Sequence, residues 1–112
     1  MAEKRDDTRH RKRLKVRYGD KDHMKIGFTE DVSEEGMFIR TGLTKTPKAT
    51  LYIELETSPD ETVALSGQVQ WSKRVPPSMA HKLKGGMGVK ISDFTSGEEA
   101  FRKLLAFLKE TR

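Results

Sequence analysis

The sequence predicts a small six-stranded antiparallel β-barrel, closed by a C-terminal amphipathic helix and preceded by a basic arm. Three observations predict it. Short runs between Arg13 and Ser92 alternate apolar with polar residues, the period of half-buried strands. Gly, Pro, Asp and Ser clusters separate the runs at hairpin spacing. A helical spacing of apolar residues occurs at the end of the chain, in "TSGEEAFRKLLAFLKETR". Consecutive strands with short connections favour a sheet that closes on itself.

Residues 1–12, "MAEKRDDTRHRK", have no apolar period and read as a flexible charged arm. Residues 13–112 read as one domain. "RLKVRY" turns Leu14, Val16 and Tyr18 inward, and "YGDKDH" is a turn. "MKIGFTEDV" offers Met24, Ile26, Phe28 and Val32 as inward residues. "GMFIRT" is a short buried strand, followed by a loop with Pro47. "TLYIELE" alternates Leu51, Ile53 and Leu55. "TVALSGQVQW" places Val63, Leu65, Val69 and Trp71 on one face if a bulge falls near Gly67. Pro76 and Pro77 make the next segment a loop, and "MGVKIS" is the last strand. The helix spans 96–110, with Phe101, Leu104, Leu105 and Leu108 on its apolar stripe. Ser96 with Glu99 forms a capping-box pattern at its start.

Composition narrows the function. Apolar residues make up 34% of the 112 and charged residues 35%, so the surface is very polar. No apolar run approaches the ~20 residues of a membrane span. "MAEKRDD" lacks the apolar stretch of a secretory signal, and there is no cysteine. A cytoplasmic setting without membrane insertion is therefore expected. The net charge of +5 lies wholly in residues 1–18, which hold eight Lys or Arg and three acids; the remainder holds fourteen of each sign. Such a segment attracts an anion.

The most unusual stretch is "DVSEEG", Asp31–Gly36. As a calcium loop it supplies Asp31, Ser33, Glu35 and Gly36, but the twelfth position is Gly42, which has no ligating side chain. As a hairpin turn, Asp31 and Ser33 would bond neighbouring N–H groups and Gly36 would supply backbone freedom. As half of a ligand site, the Asp31 carboxylate suits adjacent N–H donors such as the N1 and N2 edge of guanine. Arg9 and Arg13 supply the complement, because a guanidinium can fork onto guanine O6 and N7, stack on a purine or hold a phosphate.

Together "RHRKR" (Arg9–Arg13) and "DVSEEG" (Asp31–Gly36) resemble the paired RxxxR and [D/N]xSxxG motifs of the PilZ family. "RDDTR" (Arg5–Arg9) also fits the first pattern. The alternating "LKV" directly after Arg13 sets the register. The resemblance continues through "GQVQW", "GMGVKI" and the closing helix. It implies a six-stranded barrel with a terminal helix and a cyclic di-GMP receptor. It assigns Arg9 and Arg13 to guanine and phosphate, Asp31 and Ser33 to a guanine edge, and Gly36 to the lining. Trp71 matches a strand position that approaches the ligand in some members, though core packing is the alternative for a lone tryptophan. Arg5 would be an auxiliary phosphate contact. Thr8 occupies the position that influences whether one or two stacked ligands bind, and leaves that number open.

The expected role is a stand-alone receptor whose arm orders on binding and which then signals to a motility, secretion or polysaccharide-synthesis partner. The alternative is a single-stranded nucleic-acid-binding barrel, which needs exposed aromatics for stacking. Only eight aromatics exist and most fall at inward positions, so nucleic acid is not expected. His10, His23 and His81 have no metal-ligand spacing, and no "HExxH" or "GxSxG" occurs. Neither catalysis, a metal nor a cofactor is expected.

Overall fold

The computed structural model describes residues 8–79 and 85–110. Arg5 and His81, singled out above, lie outside the described residues. The strands are β1 (His10–Arg11), β2 (Lys15–Asp20), β3 (His23–Val32), β4 (Gly36–Arg40), β5 (Thr50–Ser58), β6 (Glu61–Lys73) and β7 (Gly86–Ser96), followed by α1 (Glu98–Glu110). Strands β3-β2-β5-β6-β7-β4 form a continuous antiparallel sheet, and pairing of β4 back onto β3 closes it. That is the expected six-stranded barrel with its terminal helix.

The inward set is apolar because the lumen is too narrow for anything but side chains. Val16, Tyr18, Ile39, Ile53, Leu55, Val63, Leu65, Val69 and Met87 are all fully buried. Phe101 and Leu105 of α1 are buried as well, and the helix packs across β1, β5 and β6. Phe101 meets Phe94 of β7 with ring centroids 5.5 Å apart.

Within the expected arm, His10 and Arg11 pair with Val32 and Asp31 of β3. The chain then breaks ladder at Lys12–Leu14, and Thr29 bridges the break. Its hydroxyl donates to the Lys12 carbonyl (2.6 Å) and accepts from the Leu14 N–H (2.9 Å). β1 and β2 thus follow one edge of β3 as two segments pivoting at Thr29.

Three local expectations change. Met24, Ile26 and Phe28 alternate as predicted but face outward, and Ile26 is 52% exposed. The inward residues of β3 are Gly27, Thr29 and Val32. Alternation gives the period of a strand, and pairing decides the face. Trp71 also faces outward. The helix starts two residues late: Ser96 ends β7, and the Phe101 N–H bonds the Gly97 carbonyl at 3.0 Å. Gly97, at φ 82°, is therefore the cap, a conformation that favours glycine over serine.

Tyr18 is a fully buried member of the apolar set that carries a hydroxyl. Its O–H donates to the Leu43 carbonyl (2.7 Å), which leaves Thr41 to donate to the phenol oxygen (2.6 Å). Burial raises the pKa of this phenol above 10.0, partly offset by the Thr41 hydrogen bond. A group whose folded pKa is raised contributes stability that is complete below its unfolded pKa and lost as pH climbs through the folded value. Stability should therefore fall above about pH 10. Tyr18→Phe should cost about 1–2 kcal/mol at neutral pH by stranding the Leu43 carbonyl, and should flatten this alkaline decline. Chemical denaturation of both proteins at pH 7 and pH 11 checks it; an unchanged alkaline slope in the variant would sink the assignment.

Candidate ligand-binding site

The outer face of β3-β4-β7-β6 carries two rows set by register. Asp31 lies opposite Phe38, Phe38 opposite Gly88, and Gly88 opposite Trp71. Next to them, Phe28 lies opposite Arg40, Arg40 opposite Gly86, and Gly86 opposite Lys73. Two β-bulges create the first row. On β3, Thr29 pairs with Ile39 and Asp31 with Phe38, so two residues advance for one, and Asp31 leaves the inward parity of Thr29. On β6, Val69 pairs with Val89 and Trp71 with Gly88, which turns Trp71 out in the same way, 50% exposed.

Gly88 makes the row work as a surface. A side chain there would land on the Trp71 indole, 2.7 Å from Cε2. Without one, Trp71 and Phe38 lean together across β7 and stack with centroids 5.3 Å apart and planes at 24°. The result is an aromatic platform made of two stacked rings.

Arg9 reaches this platform from the arm. Its Nη1 donates to Asp31 Oδ1 at 2.7 Å, with the two side chains 49% and 24% exposed. Arg9, Asp31, Phe38, Trp71, Lys73 and Gly88 line a concavity of about 410 Å³. Arg13 lies elsewhere, its guanidinium 3.9 Å above the Phe28 ring, as a cation–π contact. It lines two further concavities with Arg40, one of which includes Arg11 and Lys12. Glu30 belongs to both this last hollow and the platform hollow, so the three form one continuous surface. Its Oε1 lies 3.9 Å from Arg40 Nε.

Of the motif residues, the fold therefore brings Arg9 and Asp31 together and sets Arg13 in the adjoining hollow. Thr8, the first described residue, is exposed. Ser33 and Gly36 are not on this surface. β3 ends at Val32, so Ser33 does not continue the alternation that would point it alongside Asp31. It is fully buried, and its hydroxyl accepts from the Gly36 N–H (3.2 Å) and the Glu35 N–H (3.3 Å). Gly36 is buried because its bare face meets the Val89 carbonyl of β7. Both residues shape the turn that ends the Asp31 strand. Phe28, Phe38, Arg40, Lys73 and Gly88 were missed, because cross-strand register assembles them. The one local signal was "GMGV", where a glycine inside a strand marks a close approach.

A model of the PilZ domain family matches residues 3–110. The chain belongs to the PilZ domain family. No curated protein matches it in sequence. Among solved structures, the inhibitor of motility MotI/DgrA of Bacillus subtilis superposes with a TM-score of 0.72 at 16% identity. That match covers 99% of this chain and 55% of the other, so this PilZ chain spans about half the length of that protein. The PilZ domain of YcgR from Escherichia coli, solved with c-di-GMP, superposes with a TM-score of 0.60 at 12% identity. It is covered to 90%, and this chain to 96%. At these identities the likeness is one of fold. No helix of the described residues is long and apolar enough to cross a membrane.

Proposed function

We propose that this PilZ domain is a cyclic di-GMP receptor that binds on the outer face of β3-β4-β7-β6. The observation that carries the reading is the Arg9–Asp31 pair standing beside the Phe38–Trp71 stack in one hollow. Each part suits one part of the ligand. A guanine stacks on the indole. Its N1–H and N2–H donate to the Asp31 carboxylate. The phosphates meet cations: Arg9, Arg11, Lys12, Arg13, Arg40 and Lys73 line the continuous surface, against the acids Glu30 and Asp31.

The pairing of Arg9 with Asp31 gives the switch a definite form. The ligand exchanges partners: guanine takes Asp31, and Arg9 turns to a phosphate or to guanine O6 and N7. The residues of the arm reorder about the Thr29 pivot, and the altered face signals to a protein partner. A motility component is one such partner, by analogy with the inhibitor of motility that shares the fold. The receptor does its work by binding, with no catalytic step.

Calorimetric titration with cyclic di-GMP tests this. Wild type should bind with affinity that falls as salt rises, since charge-assisted contacts are screened. Arg13→Ala should make that fall less steep. No heat and no thermal shift in wild type would end the reading. Binding of single-stranded RNA or DNA with no dependence on Asp31 would instead favour a nucleic-acid-binding barrel.

Trp71 supplies an independent probe, being the single tryptophan of the chain. Stacking on its exposed face should quench its fluorescence in proportion to occupancy. Trp71→Ala should weaken binding about tenfold, the lower range for loss of one base–aromatic stack. Unquenched fluorescence at saturation would remove the indole from the site.

A further inference from the structure

β7 opens on "GMGV", in which Met87 and Val89 belong to the buried core and Gly86 and Gly88 face the other way. An outward residue of a strand is ordinarily wet, yet both glycines are buried. Aromatic rings cover them. A methyl on Gly88 would fall on the pyrrole edge of Trp71, at Nε1, at Cε2 (2.7 Å) and at Cδ1 (3.0 Å). A methyl on Gly86 would fall on Phe38 Cζ (2.6 Å) and on the Ile39 carbonyl oxygen. Phe38 thus rests over Gly86 and Trp71 over Gly88, while the two rings stack on each other.

Glycine weakens a strand, since it adds backbone freedom and no side chain to pack. Two of them on one face of β7 make sense where a neighbour needs the room, and here the neighbour is the aromatic pair. The indole is held along one edge by Gly88 and on one side by Phe38, and it remains 50% exposed. A ring fixed in this way has little rotamer freedom left to lose when a base stacks on it, and less lost freedom means tighter binding.

We propose that Gly88 is a positioning residue of the ligand site: together with Phe38 it holds the Trp71 indole in its binding orientation before the ligand arrives. The role rests on the cyclic di-GMP reading, because it concerns how that site is prepared. Gly88 acts on the ligand through Trp71.

Gly88→Ala tests it, read first without ligand. The methyl should lift the indole off the sheet into water. The emission of the single tryptophan should move to longer wavelength and its near-ultraviolet circular dichroism should weaken, with the far-ultraviolet spectrum unchanged. Affinity for cyclic di-GMP should then fall by about three- to tenfold, no more than the loss of the base–aromatic stack itself. In a Trp71→Ala background the same substitution should change affinity by less than about twofold, since residues that act through one another are not additive. If Gly88→Ala yields no folded protein, Phe38→Leu withdraws the other support without adding bulk, and the same spectra and the same cycle are read on it. An unshifted indole spectrum overturns the role. So does an equal loss of affinity with and without Trp71, which would place the methyl against the ligand or the strand. A wild type that binds no cyclic di-GMP ends the functional reading and this role with it; a wild type that binds, with additive variants, overturns the role alone.

Discussion

Asp31→Ala should weaken cyclic di-GMP binding by at least about a hundredfold and leave the melting temperature nearly unchanged. The two effects separate because Asp31 has two kinds of partner. Toward the ligand, its carboxylate would accept two N–H donors of one guanine, and a hydrogen bond to a charged group contributes about 1.5–3 kcal/mol. Losing two exceeds the ~2.7 kcal/mol of a hundredfold change. Toward the protein, it makes an ion pair with Arg9 in which the arginine is half-exposed. Such pairs contribute about 0–1 kcal/mol to stability, and releasing Arg9 also removes a competitor for the ligand's phosphates. Calorimetry and a thermal melt on the same preparation measure both. Unaltered affinity would mean that no guanine edge lies on Asp31.

Gly36→Ala should do the reverse, removing the fold and with it everything else. The added methyl falls on the Val89 carbonyl oxygen, a backbone atom that cannot rotate away. Gly36 pairs with Lys90, and the Ile91 N–H bonds the Glu35 carbonyl at 2.7 Å, so β4 and β7 would have to part along their ladder. Overpacking among flexible side chains costs about 1–3 kcal/mol, and a clash with fixed backbone costs more. A loss above ~3 kcal/mol is a large part of the 5–15 kcal/mol that holds a typical domain. The melting temperature should drop by more than about 10 °C, or no folded protein should be recovered. Gly42→Ala is the control, since nothing lies within 4 Å of the new methyl. Equal melting of the two variants would contradict the close approach at Gly36.

These two variants separate roles that one motif joins. "DVSEEG" reads as a single sequence pattern, and family resemblance gives all its named residues to the ligand. In the fold, Asp31 faces out, whereas Ser33 and Gly36 build the turn from within. The strands themselves were legible, because alternation survives in β2, β5 and most of β6, and the helical stripe of α1 is plain. The facing of β3 was not legible. Its apolar set, Met24 to Val32, is split by the bulge after Thr29, which sends Val32 in and leaves the others out. The bulge at Val69–Trp71 hid Trp71 for the same reason. Both bulges deliver a side chain to the candidate site, so local pattern failed where the barrel departs from regularity to present chemistry. The arm was legible as basic but not as partly paired, since a two-residue strand leaves no periodic trace.

The Thr29 pivot sets how quickly such a receptor could follow its signal. Lys12 and Leu14 are both pinned to one threonine hydroxyl, so the described chain that must move is the short stretch from Thr8 to Arg11. His10 and Arg11 must first unpair from β3, and a segment of that size, once freed, rearranges in nanoseconds to microseconds. The exposed Arg9–Asp31 pair adds little barrier to release. Response time would then be set by how often the two-residue β1 ladder opens together with how often ligand arrives and leaves.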